Sequence, residues 1–202
     1  RRWGKSLNMD MLRCFLSIAV DAQGVPLPQE QSLNYKLFAG GEVVIGPQTG
    51  KIKQLAPLKI AQQCPDLVRD YQGQFPVISL GFKDVKGSSY QEIAAGVKKQ
   101  VINLYIKHRY LKQHIQAEGS ILEDAEKEQL HHYLKGELSQ EDLKDSLRFL
   151  SELLYRHFGK PVYVLIDEYD TPINSAYLAF KNRPEEFEEV LQLFRGLLDR
   201  KS

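Results

Sequence analysis

Cysteine is scarce in this chain. There are two in 202 residues, Cys14 and Cys64, far apart and in no Cys-x-x-Cys pair. That excludes a disulfide-built scaffold and points to a reducing, cytoplasmic setting with buried or idle thiols. Long apolar runs are also missing: no stretch approaches the ~20 residues that a membrane helix needs. No signal peptide is visible, because the first twelve residues carry a Lys-Ser-Leu-Asn-Met-Asp pattern in place of an apolar core. Charge of one sign is absent too, with a net charge of +1. A duplex-binding domain usually shows a strong basic excess, so direct nucleic-acid binding is not expected. There is no internal repeat and no low-complexity segment.

What is present suits one globular domain with a sizeable core: 43% apolar and 26% charged residues. Residues 5–20 read as a helix, with Leu7, Met11, Leu12, Phe15, Leu16 and Ala19 at three- and four-residue spacing. Residues 21–74 are the least regular. There, "EVVIG" reads as an edge hairpin strand and "LAPLKIAQQ" as a short helix. "FPVISLGF", residues 75–82, reads as a buried strand with Pro76 at its start, where a missing donor is tolerable. A long helix follows Ser88 or Ser89, with Ser89-x-x-Glu92 as a capping box and Val97, Val101, Leu104, Tyr105, His108 and Leu111 as its stripe. A second helix follows Ser120. A third follows Ser139, with Leu143, Leu147, Leu150, Leu154 and Phe158 on one face and Gly159 at its end.

"VYVLIDEYD", residues 162–170, is the strongest strand in the chain. A last helix follows Pro184, with Phe187, Val190, Leu191, Phe194, Leu197 and Leu198 on one face. Apolar strands separated by helices predict an α/β fold with a mainly parallel sheet covered on both faces. Residues 88–158 exceed a simple crossover and read as a helical insertion.

Two short segments carry chemistry. Asp167 and Glu168 end a buried strand, and open α/β sheets bind ligands at the carboxyl ends of their strands. An acidic pair there needs a partner, and a hydrated Mg²⁺ is an economical one. Asp167 would serve the metal and Glu168 would orient or deprotonate an attacking water, which is the Walker B arrangement. The second segment, Gly4-Lys5-Ser6, opens the first helix. In a phosphate-binding loop, glycine allows close backbone approach, lysine bridges β- and γ-phosphates and the following hydroxyl ligates Mg²⁺. Gly4, Lys5 and Ser6 fit those roles. The first glycine of the full motif and the strand that should precede it are not in the chain.

With those residues in view, the chain resembles the AAA-ATPase-like family of bacterial and archaeal proteins. "RRWGKSLNMDML" is similar to that family's R-P-R-R-[FW]-G-K-[ST]-L segment. "VYVLIDEYDTPI" resembles its D-E-Y-D-x-P-I block, and "FPVISLGFKDVKGSSY" its intervening P-V-I-x-L-x-F strand. The resemblance implies a P-loop NTPase three-layer sandwich that binds ATP with Mg²⁺ and hydrolyses it. It also implies a possible downstream nuclease-like domain, whose strand-borne Asp and Glu-x-Lys are not seen here. The alternative expectation is a non-catalytic nucleotide-dependent switch or interaction module that regulates such a domain. The family has arginine where the usual loop has its first glycine. Arg1 and Arg2 would be the second half of that arginine-rich stretch, either contacting phosphate or forming a solvated basic terminus. The chain is expected to be a piece of the domain, truncated at both ends.

Other polar residues read more plainly. Asp170 either assists the metal, holds a basic partner from the core, or takes a surface or capping role at a following helix. Tyr169 either stacks on a base or packs at the strand end, the latter being favoured. His131 and His132 read as a solvated helix face, and His108 and His114 show no zinc-ligand spacing. Cys14 is expected in the core.

Overall fold

The computed structural model describes residues 4–46, 50–117 and 119–198. The chain divides between residues 77 and 78 into two compact units.

In the first unit, α1 (Lys5–Leu16) runs shorter than its apolar spacing predicts. Ser17 turns to extended geometry with ψ 124°. The backbone after α1 pairs with a segment far along the chain: the Phe75 N–H donates to the Leu16 carbonyl, and the Ile18 N–H to the Phe75 carbonyl, each at 2.9 Å. That pairing ends the helix. Its expected apolar stripe is largely open: Leu16 is buried, but Leu7 is 64% exposed, and Met11 and Leu12 are exposed as well. Cys14 is half-buried and Cys64 exposed.

A 3₁₀ turn at Gln29–Gln31 leads into α2 (Leu33–Ala39). The expected hairpin follows as β1 (Gly41–Ile45) and β2 (Lys51–Leu55), antiparallel, with Gly41 opposite Leu55 and Ile45 opposite Lys51. The short helix expected in "LAPLKIAQQ" is α3 (Lys59–Gln63), and α4 (Pro65–Tyr71) follows it. Beyond the expected α3, two further helices, α2 and α4, thus occupy a stretch that reads as irregular. Their signals are local: the Ser32 hydroxyl accepts the Tyr35 N–H, and Pro65 stands at the first helical position.

The second unit holds the main core. β3 (Val77–Gly81) starts at the division and feeds α5 (Tyr90–Lys107). A 3₁₀ turn at Arg109–Lys112 and α6 (Gln113–Gln116) connect to α7 (Asp124–Lys135) and α8 (Gln140–Phe158). Then come β4 (Tyr163–Asp167), α9 (Asp170–Ala179) and α10 (Pro184–Leu198). The helix starts are strongly specified. In α8, Ser139 and Asp142 form a reciprocal box, and Glu123 and Glu126 do the same for α7. In α5 the box is split: the Ser89 hydroxyl accepts the Glu92 N–H, while the Glu92 carboxylate reaches the Ser88 N–H instead, at 2.7 Å. Gly159 ends α8 with φ 63°, the left-handed geometry that its missing Cβ allows.

The predicted stripes of α5 and α8 are the inward faces: Val97, Val101, Leu104, Leu143, Leu150 and Leu154 are all buried. α10 packs on α8 and α5, and Phe194 meets Phe82 edge-on at 5.2 Å. Its buried face is Val190, Leu193, Phe194 and Leu197, so Leu193 takes the place expected of Leu191, and Leu198 is exposed. At the centre, the rings of Tyr105 and Tyr133 stack at 4.2 Å. The Tyr105 hydroxyl donates to the Ser146 carbonyl at 2.9 Å and that of Tyr133 to the Asp142 carbonyl at 2.6 Å, so each buried phenol has a partner on α8.

β3 and β4 form a two-stranded sheet. The Phe82 N–H donates to the Asp167 carbonyl at 3.1 Å, so the carboxyl ends of both strands lie together and the pair runs parallel. The architecture is mixed α/β. β4 is less buried than its apolar run predicts, with Leu165 buried and Tyr163 42% exposed. Complete burial of a parallel strand needs cover on both faces and strands on both sides. Among the described residues β4 has one neighbour, β3.

Candidate functional site

The glycine–lysine–serine segment lies at the start of α1. Gly4 has φ 110°, and a Cβ built on it would meet nothing within 4 Å. The position therefore demands glycine for its backbone angle and leaves open space beside the chain. Lys5 and Ser6 form the exposed first turn. No side chain caps this helix start, and no acidic residue sits in its first turn. Such a terminus favours an anion through its N–H groups and dipole. Arg1 and Arg2, expected to add phosphate contacts, lie outside the described residues.

The acidic segment lies in the second unit. β4 carries Asp167 to the carboxyl edge of the parallel pair, where the Phe82 N–H bonds its carbonyl. Glu168 follows with φ 52°, the single non-glycine residue at positive φ among those described. Left-handed geometry is uncommon for such a side chain and costs of order 1 kcal/mol or more. It ends β4 at Asp167, three residues before the predicted strand end, and lets the chain turn directly into α9. The Thr171 N–H donates to the Glu168 carbonyl at 3.1 Å and starts that helix. Asp167 and Glu168 are half-buried and Asp170 is exposed in the first turn of α9, where a carboxylate suits the helix dipole. Tyr169 is 50% exposed, so it does not pack at the strand end as expected. The sharp turn out of β4 leaves it outside the core.

The structure thus puts Gly4, Lys5 and Ser6 at one helix start, Asp167 and Glu168 at one strand end, and Asp170 in the first turn of the helix that follows. No group of three or more His, Cys, Asp or Glu side chains among the described residues could hold a metal ion alone. Mg²⁺ bound with a nucleotide does not require one, because it takes one or two protein oxygens and fills the rest with phosphate and water. The Asp167 carboxylate at the end of β4 is an oxygen donor of that kind.

Sequence reasoning missed how the loop after β3 is held. The Ser175 hydroxyl of α9 accepts the Gly87 N–H at 3.3 Å and donates to the Gly87 carbonyl at 3.4 Å. The Arg183 guanidinium donates to the Ser88 carbonyl at 3.1 Å. Histidine pairing was missed as well. His114 Nε2 and His157 Nδ1 lie 2.9 Å apart, and His108 Nδ1 is 2.9 Å from the Tyr110 hydroxyl. Burial, and then the charge of His157, pushes His114 below its ordinary value. His131 and His132 are exposed on α7, as expected.

An α/β protein with an acidic pair at the carboxyl end of a parallel strand places its polar chemistry where this class binds ligands. The chain matches the AAA-ATPase-like family model, described as a predicted AAA-ATPase, over residues 55–201, which is more than half its length. The chain belongs to that family. The match takes in Asp167 and Glu168 and starts after Gly4, Lys5 and Ser6. No curated protein and no solved structure matches the chain.

Proposed function

We propose that the protein binds ATP with Mg²⁺ and hydrolyses it, through a P-loop three-layer α/β core with residues 88–158 as a helical insertion. The observation that carries this is the acidic pair at the end of β4 within a segment matched to a predicted AAA-ATPase family. Lys5 would contribute charge to the β- and γ-phosphates, with Gly4 allowing close backbone approach and Arg1 and Arg2 adding further positive charge. Ser6 and Asp167 would hold the metal, which when bound neutralises charge developing on the phosphate oxygens. Glu168 would orient the attacking water and take up its proton at a carboxylate oxygen.

Two substitutions in the full chain test these roles. Lys5→Ala should abolish ATP binding, measured by titration calorimetry. Glu168→Gln should retain binding and lower turnover by about 10²-fold or more, because an amide cannot accept the proton. Equal ATP affinity in wild type and Lys5→Ala would sink the phosphate-site assignment. Bound nucleotide with no turnover by the wild type would instead identify a nucleotide-dependent switch.

A further inference from the structure

Glu168 occupies an unfavoured backbone geometry, and the structure shows what encloses it. On one side, the Phe82 N–H bonds the Asp167 carbonyl, which fixes β4 against the end of β3. On the other, the Thr171 N–H bonds the Glu168 carbonyl, which builds the first turn of α9 directly onto this residue. One turn further along α9, Ser175 bonds both the N–H and the carbonyl of Gly87. Gly87 belongs to the loop that leaves Phe82. The contacts therefore close a ring: β3, its loop, Ser175, α9, Glu168, β4 and back to Phe82.

The loop has little freedom inside that ring. The Ser88 N–H and hydroxyl both donate to the Glu92 carboxylate, at 2.7 and 3.1 Å. Arg183, which stands over the Phe180 ring at 5.0 Å, donates to the Ser88 carbonyl from beyond the end of α9. A Cβ on Gly87 would lie 2.7 Å from the Glu92 Cβ, so the loop and α5 are in close contact there. With the loop fixed by α5, a hydroxyl on α9 that grips it also fixes α9, and with α9 the turn that carries Glu168.

We propose that Ser175 is a positioning residue for Glu168: by locking α9 to the loop after β3, it holds the left-handed turn at the end of β4. Its catalytic consequence rests on Glu168 acting in ATP hydrolysis. Strain of this kind persists only where the surroundings over-determine it, and Ser175 supplies the closing link. Displacing a water-orienting group by a fraction of an ångström slows turnover without altering how the nucleotide is held elsewhere.

The test uses the full chain as wild type, Ser175→Ala, Ser175→Thr and Arg183→Ala, with ATP turnover, ATP affinity and amide exchange measured on each. Ser175→Ala should lose roughly tenfold in kcat with ATP affinity unchanged, and Ser175→Thr, which keeps the hydroxyl, should recover it. The amides of Phe82 and Thr171, which bracket Glu168, should exchange faster together in Ser175→Ala. A wild-type kcat in folded Ser175→Ala overturns the proposal. If the wild type itself does not turn over ATP, the hydrolysis assignment fails alone. Amide exchange then decides: acceleration at both Phe82 and Thr171 supports the clamp, and acceleration confined to residues 83–89 overturns it. Should Ser175→Ala fail to fold, Arg183→Ala releases the same loop from its other hold and is judged on the same readouts.

Discussion

Glu168 combines the chemistry and the strain of the candidate site in one residue. The place of Asp167 and Glu168 is legible in the sequence, because two carboxylates after an apolar run mark where a strand ends. The left-handed angle of Glu168 is not legible, since glutamate carries no preference for it and the surrounding contacts impose it. Glu168→Gly should separate the two properties. Turnover should be lost with the carboxylate, while unfolding free energy should stay within about 1 kcal/mol of wild type. Relief of the left-handed strain and the extra freedom of the unfolded chain act in opposite directions. A denaturant titration checks it, and a loss above about 2 kcal/mol would show that the Glu168 side chain also supports packing. Ser175 is equally invisible in sequence. It meets Gly87 across 88 positions, and a serine on a helix carries no mark of so distant a partner.

Elements were legible where their determinants are local. α8 begins at Ser139 and ends at Gly159 as read, because a capping box and a left-handed glycine are written within a turn of each end. Ser139→Ala removes the hydroxyl that accepts the Asp142 N–H and should cost about 1 kcal/mol, read as a lower thermal midpoint. An unchanged midpoint would show that the Asp142 carboxylate sustains the start alone. α1 was misjudged for the opposite reason. Its periodicity continues to Ala19, but Leu16 and Ile18 pair with Phe75, and a contact of that range leaves no trace in local spacing. The composition of residues 162–170 predicts a strand that runs three residues past Asp167, and the turn at Glu168 ends it sooner. α2 and α4 are brief helices with weak apolar spacing, so the sequence reading does not find them; Ser32 and Pro65 are the local marks they carry.

At the scale of the molecule, the mixed α/β character and the helix-rich second unit were legible from the order of apolar runs, whereas the division at residue 77 was not. That second unit also carries a pH liability. Burial, and then the charge of Lys107, pushes His108 from 6.5 down to about 4. As pH falls below about 6.5 the unfolded chain takes the proton first, so stability is full above that value and declines down to about 4. The loss attributable to His108 is on the order of 3 kcal/mol across that window. His114, also pushed down by burial and by His157, acts in the same direction. Denaturant midpoints at about pH 7.5 and about pH 5 should differ in the wild type and converge in His108→Gln. Equal pH slopes in the two proteins would place the sensitivity elsewhere.

The stacked tyrosines have a spectroscopic consequence. The transition dipoles of Tyr105 and Tyr133 lie on rings only 3° from parallel and 4.2 Å apart. Coupled chromophores held so rigidly give near-ultraviolet circular dichroism that vanishes once their mutual orientation is lost. The chain's one tryptophan is Trp3, at the other end of the sequence. The protein therefore carries two intrinsic optical probes, with indole emission following the N-terminal segment and tyrosine dichroism following the interior of residues 78–202. Unfolding of the unit that holds β4 can be watched by its own dichroism, with no label attached.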